Sequence, residues 1–200
     1  MFEYIKGQLA NLEPTQAVID CGGVGYLLEI SLNTYEALRK ADAAEVKLYA
    51  HLVVREDAQQ LFGFYDMAER EMFRLLLNVN GVGAATARIM LSSLTVEELT
   101  RAIVDQDAKR VQKVKGIGAK TAQRILLELR DKVDPFAAPA LAGATSTASS
   151  SNKNAEEALS ALVMLGFPKA ASEKVVAKMA EANPGASVEE IIKQSLAHGI

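Results

Sequence analysis

Two phrases written 35 residues apart constrain this chain more than anything else in it: NGVGAATARIML from Asn80 to Leu91, and KGIGAKTAQRIL from Lys115 to Leu126. Each sets an aliphatic residue between two glycines and then runs on with helical period. Ala87, Met90, Leu91 and Leu94 follow the first pair, and Ala122, Ile125, Leu126 and Leu129 follow the second. Both sets fall at i, i+3, i+4 and i+7, the spacing of one buried helix face. A repeat that keeps both the turn glycines and the apolar phase is a repeated structural unit.

Gly-x-Gly before a helix has three chemical readings. A dinucleotide fingerprint needs a preceding strand and a third glycine; here Leu75–Val79 has helical period, and Thr86 stands near the third glycine's place. A phosphate-binding loop needs Gly-Lys-Ser/Thr in succession, and Gly118-Ala119-Lys120-Thr121 has one residue too many. The third reading is a helix–hairpin–helix. In it the glycines, Gly118 among them, supply left-handed backbone angles and close approach, and turn amide groups toward a phosphate. The following helix adds its positive end. Such a unit grips a nucleic-acid backbone without reading bases, and a pair of them suits both strands of one duplex across a minor groove. The bland alternative is a pair of tight turns with no ligand.

Charge weighs against the bland alternative. The formal charge is −3, but residues 1–63 hold 9 acids and 5 bases, whereas 64–141 hold 10 acids and 12 bases. Lys109, Arg110, Lys113, Lys115, Lys120 and Arg124 follow one another with no acid before Leu127. A basic patch on an acidic chain predicts a polyanion at one place. Other classes find little support. The single cysteine, Cys21, and the distant His51 and His198 suggest neither a disulfide nor a metal site. No run approaches the ~20 apolar residues of a membrane span, and a start carrying Glu3 and Lys6 lacks the form of a secretion signal. The expectation is a cytoplasmic protein without metal, cofactor or membrane. A glycosylase or nuclease built on hairpins would need a pocket acid or lysine, or a carboxylate cluster for metal. The acids near the hairpins are scattered, so no catalytic residue is assigned. A general duplex-binding adaptor with another protein partner stays open on the residues alone.

The organisation reads as α+β and multidomain. In residues 1–63, TQAVIDC and YLLEISL flank GGVG, and Val46, Leu48, Ala50, Leu52 and Val54 alternate. About five short strands suit a small closed barrel, with an OB-fold leading. Residues 64–136 read as about five helices. Asp66 with Glu69 and Thr95 with Glu98 have capping-box form, Met72, Leu75, Leu76 and Val79 make a buried stripe, and Asp134-Pro135 closes the bundle. Residues 137–154, small and nearly uncharged, read as a flexible linker. Residues 155–200 fit three short helices around Leu159, Leu162, Val163, Val175, Val176, Met179, Ile191, Ile192 and Leu196, with Asn154–Glu157 and Ser187–Glu190 as further capping boxes.

GGVGY (22–26), HLVVREDAQQLFGF (51–64), both hairpins, the low-complexity stretch and ALVMLGF (161–167) occur in the order found in the RuvA family, and the chain resembles that family over its whole length. These are the Holliday-junction-binding subunits of the bacterial RuvAB branch-migration machine. The resemblance implies an OB-fold that builds a homotetramer, a helix–hairpin–helix domain that holds four-way junction DNA in an open planar form, and a UBA-like three-helix module that engages the RuvB motor. It places the work in recombination, DNA repair and the SOS response to DNA damage, beside the RuvC resolvase, with ATP hydrolysed by RuvB. It leaves open whether one or two tetramers clasp a junction.

Residue by residue, the family's acidic pin falls on Glu56 and Asp57, with Arg55 beside it able to hold phosphate. The DNA contacts fall on Asn80, Gly81, Val82, Gly83, Ala84 and Arg88, and on Lys115, Gly116, Ile117, Gly118, Ala119, Lys120, Thr121 and Arg124. The motor contact falls on Leu162, Leu165, Gly166 and Phe167. Many relatives carry a proline and a basic residue where this chain has Ala84 and Ala85, and two lysines where it has Ala119-Lys120. Arg88, one turn on, is expected to replace the first missing cation.

Overall fold

The alternation in the first 64 residues folds into a closed five-stranded barrel in the computed structural model, which describes residues 2–133, 136, 150–183 and 185–197. Its strands are β1 (Tyr4–Glu13), β2 (Gln16–Cys21), β3 (Val24–Ile30), β4 (Glu45–Val54) and β5 (Gln59–Phe64). They close in the order β1-β2-β3-β5-β4, all neighbours antiparallel except the short β3–β5 pair. Ile19, Leu28, Ile30, Leu48 and Ala50 fill the interior, as period-2 burial requires. The expected alternation along β4 holds from Val46 to Ala50. It fades toward the exposed Val54, where the strand leaves the core for the turn at 55–58.

One element escaped the sequence reading. Helix α1 (Leu32–Ala41) links β3 to β4, capped by Ser31, whose hydroxyl accepts from the Thr34 amide. It follows β3 with no glycine or proline between, so the only marks of the change of period are Ser31 as a cap and the spacing of Leu32, Tyr35 and Leu38.

The helical region carries α2 (Met67–Leu77), α3 (Ala84–Ser93), α4 (Val96–Val104), α5 (Ala108–Gln112) and α6 (Ala119–Leu129), then a 3-10 turn, Arg130–Lys132. Met72, Leu76, Val79, Ala87, Met90, Leu91, Ala122, Ile125, Leu126 and Leu129 are buried in one core, confirming the helical phase of both repeats. Thr95 and Glu98 form the expected capping box. Asp66 caps α2, but Glu69 does not bond back to it. Instead its buried carboxylate accepts from the Ser31 and Thr34 hydroxyls, tying α2 to α1. Burial pushes the Glu69 carboxyl above the usual carboxylate range, against the lowering effect of the two hydroxyls. The expected stop at Asp134-Pro135 lies outside the described residues.

The barrel has its own core and joins the helical one through β5. Phe73 of α2 lies 5.0 Å and 4.9 Å, ring to ring, from Phe62 and Phe64 of β5. Arg70, buried, donates to the Glu3 carbonyl at 2.9 Å and pairs with its carboxylate. The chain divides into two compact units, Met1–Gly143 and Ala144–Ile200, and the first holds both barrel and helices.

The second unit contains α7 (Ser150–Met164), α8 (Lys169–Ala182) and α9 (Val188–Ala197) around Ala158, Leu162, Val176, Met179 and Ile191. Four expectations change here. Residues 150–154, read as the end of the linker, are the first turn of α7, while 137–149 lie outside the described residues. Asn154 is therefore inside a helix rather than capping one, and its amide donates to the Ala186 carbonyl at 3.0 Å. Val163 and Leu196, expected in the core, are 40% and 43% exposed. Ser195 takes the inward position beside Leu196. Ser187 and Glu190 do form their capping box.

Candidate nucleic-acid interface

The two glycine pairs build the same turn. Between α2 and α3 the Val79 amide bonds to Leu76, the Val82 amide to Val79 and the Ala87 amide to Gly83, at 3.1, 3.0 and 2.9 Å. Between α5 and α6 the corresponding bonds are Val114 to Val111, Ile117 to Val114 and Ala122 to Gly118, at 3.2, 3.1 and 2.9 Å. Val82 and Ile117 are buried plugs that leave only backbone to the surface. The first glycine of each pair carries the left-handed angle, φ +91° at Gly81 and +90° at Gly116. That corrects the expectation for Gly118. Gly83 and Gly118 have ordinary extended angles, φ −91° and −81°, and cap the helices that follow. A side-chain atom added at either would meet nothing within 4 Å, so what these glycines leave is open space in front of the amides.

The caps distinguish these helices from their neighbours. In the first unit α1, α2, α4 and α5 are capped by the side chains of Ser31, Asp66, Thr95 and Asp107. Helices α3 and α6 have no side-chain cap. The first amides of a helix find no acceptor within it, so at Gly83–Ala85 and Gly118–Lys120 they stand uncapped with the helix's partial positive charge behind them. An anionic oxygen is the group such an end accepts.

The side chains around the turns divide sharply. Among the described residues, Lys115 and Lys120 are exposed and pair with no carboxylate. Arg124, also exposed, donates to the Asn80 carbonyl at 3.3 Å, so it ties the second hairpin's helix to the first hairpin's turn. Arg88 does not replace the missing cation. It points to the barrel, donating to the Thr15 carbonyl at 3.1 Å and lying 3.6 Å from Glu29 Oε2. Ala84 is buried, Ala119 exposed and Thr121 half-buried. Arg88 is the one charged residue from Leu75 to Val96, so the first hairpin offers backbone without a free cation.

Arg55, Glu56 and Asp57 occupy the β4–β5 turn, closed by the Arg55 amide on the Ala58 carbonyl at 2.8 Å. All three are exposed, and their side chains take no partner among the described residues. In the second unit Gly166, φ +96°, ends α7 in a Schellman turn, with the Phe167 amide on the Leu162 carbonyl at 3.1 Å. Phe167 packs against the core and Leu162 is fully buried. Leu162 is therefore a core residue rather than a contact residue. Among the described residues of this unit, Met164, 88%, and Leu165, 64%, are the most exposed large apolar side chains. The sequence reading missed Met164, because a helix's last turn gives no hint of which face it shows.

A closed barrel carrying tandem uncapped hairpins, with exposed carboxylates on one barrel turn, defines a class: a barrel-mounted helix–hairpin–helix protein equipped for a polyanionic backbone. Comparison with known proteins narrows this. Residues 1–63 match the RuvA N-terminal domain, 73–131 a SAM-like helix-hairpin-helix tandem, and 153–198 the RuvA C-terminal domain. The Holliday junction branch migration complex subunit RuvA of Christiangramia forsetii is 48% identical over 98% of both chains. That of Bacteroides thetaiotaomicron is 46% identical over 98% of both, and that of Chlorobaculum tepidum 44% over 98% of this chain and 96% of its own. The chain belongs to the RuvA family.

Proposed function

We infer that this protein is the junction-binding subunit of a branch-migration complex: it binds four-way DNA by shape, without reading sequence, and presents it to a motor. The observation that carries the reading is the pair of equivalent, glycine-capped hairpins, whose helix ends lack the side-chain caps that their neighbours have. Two such turns braced by Arg124 suit the two backbones of one duplex arm. On this reading its part is to hold and present DNA rather than to react with it. ATP hydrolysis belongs to the partner motor, RuvB, in the cytoplasm, with RuvC acting on the same junction.

Assembly into a homotetramer around a fourfold axis would gather Glu56 and Asp57 of every subunit where the four arms meet. Like charge repels phosphate there and favours strands held apart. Arg55 would meet a phosphate beside them. The exposed Met164 and Leu165 give the second unit an apolar face of the kind a protein partner covers.

Competition between a labelled four-way junction and linear duplex of equal length tests the reading. The junction is expected to win strongly. Glu56→Gln with Asp57→Asn should keep or tighten junction binding and narrow its margin over duplex. Equal affinity for both DNAs in the unaltered protein would favour the general duplex adaptor.

A further inference from the structure

Helix α5 and the joint between α3 and α4 enclose an open depression of about 660 Å3 beside the second hairpin, with Ser93, Asp107, Lys109, Arg110 and Lys113 on its walls. Its charges are not equivalent. The Asp107 carboxylate, exposed, caps α5, accepting from the Arg110 amide at 3.0 Å. The Arg110 guanidinium pairs with Glu98 at 2.7 Å. The Ser93 hydroxyl donates to the Ile89 carbonyl. That leaves Lys109 and Lys113, both exposed and without a carboxylate partner among the described residues. They stand at i and i+4, so their stems rise from one helix face about 5–6 Å apart. Lys113 also ends α5, three residues before the left-handed Gly116.

We propose that Lys109 and Lys113 form a phosphate shelf, which extends the second hairpin's hold along the same nucleic-acid backbone beyond the contacts at its glycines. The proposal rests on reading the hairpins as backbone clamps. The ligand class follows from the charge left unpaired: two exposed lysines on one helix face, held by no carboxylate among the described residues, suit an anionic oxygen. Lysine, a mobile point charge, suits a backbone whose exact position varies with sequence. The shelf also lies on the hairpin that has free cations, so it lengthens an existing track of positive charge rather than starting another.

The test is the salt dependence of junction binding by the full-length protein, followed by fluorescence anisotropy between 50 and 200 mM salt. Each neutralised phosphate contributes ~0.9 to the log–log slope. Lys109→Gln with Lys113→Gln should lower the slope by roughly 1.8, so the affinity lost across that range shrinks about tenfold. Lys174→Gln with Lys178→Gln, the same charge change on α8, should leave it unaltered. Thermal melting of each variant by circular dichroism keeps folding separate from binding. A slope equal to the unaltered protein's overturns the shelf, whether affinity is kept, as for a depression that takes no phosphate, or lost, as for a purely structural role. If the unaltered protein itself shows no salt-dependent junction binding, the clamp reading has failed and takes the shelf with it.

Discussion

The two hairpins of this protein have one backbone and two chemistries. Their turn bonds agree within about 0.1 Å, and their left-handed glycines differ by one degree in φ. Yet the first offers no free cation of its own among the described residues and is fastened to the barrel and to α1. Arg88 reaches Thr15 and Glu29, Ser92 accepts from the Leu32 amide, and the Asn33 side chain donates to the Leu91 and Leu94 carbonyls. The second is surrounded by unpaired lysines and reaches the first through Arg124. Shape and charge are thus separable: glycine geometry makes the clamp, and cations are placed wherever the surrounding surface has room for them. On the proposed reading, the fastened hairpin would fix where an arm sits relative to the barrel turn that bears Glu56 and Asp57. The charged one supplies the long-range attraction.

The comparison breaks most visibly if the glycines are not equivalent. A left-handed angle costs an L-residue roughly 1–2 kcal/mol, and a β-branched one more. Gly81→Val and Gly116→Val should therefore each weaken junction binding about tenfold or more, by similar factors despite their different surroundings. Titrations of both variants check this, and a loss confined to Gly116→Val would make the first hairpin a plain turn. Gly118→Ala sharpens the point, because an added methyl there meets open space at an ordinary φ. It should lower the melting temperature only slightly, since alanine caps a helix less well than glycine, and still cost several-fold in affinity, since the methyl would stand in a phosphate's approach.

Smaller effects divide charge from fastening. Lys115→Gln with Lys120→Gln should reduce the salt slope by up to about 1.8 with little change in melting. Arg88→Ala should do the reverse, lowering stability by about 1 kcal/mol for a partly screened pair at an unchanged slope. A slope change in Arg88→Ala would mean that this arginine does reach phosphate. The smallest effect concerns Glu69 at the α1–α2 joint. Its pKa is raised in the fold by burial. The stability linked to its protonated form is therefore fully present below the unfolded pKa and is lost as pH rises through the folded one. Glu69→Gln, which mimics the protonated form, should lose less stability than the unaltered protein between about pH 4 and pH 8, measured by urea unfolding. Parallel curves would show that the Ser31 and Thr34 hydroxyls fully offset the carboxylate's burial.

Much of this was legible in the sequence because local pattern decided it. The repeat gave the hairpins, period-2 alternation gave the barrel, and Thr95–Glu98 and Ser187–Glu190 marked helix starts that the fold keeps. What stayed hidden depends on distant partners. Arg88 looked like a free cation because Glu29 lies far back in the chain, and the bond from Arg124 to the Asn80 carbonyl joins residues 44 apart. Glu69 looked like half of a capping box until Ser31 and Thr34 were brought beneath it. The glycines show a finer limit: sequence places two of them in each turn, but only the backbone path reveals that Gly81 and Gly116 turn left-handed while Gly83 and Gly118 leave room. Lys109 and Lys113 stood in the basic run from the start. Their distinction from Arg110 needed the Glu98 pair to be seen.

The central claim is that both hairpins hold DNA through their amides, with or without cations nearby. Amide hydrogen exchange read by mass spectrometry, on peptides covering residues 78–88 and 113–123, measures this most directly with and without saturating four-way junction. The account expects both segments to slow on binding to a similar degree, the uncharged first as clearly as the lysine-rich second. Protection of 113–123 alone, with 78–88 exchanging as in the free protein, would contradict it and leave charge, rather than the repeated backbone, as the source of the grip.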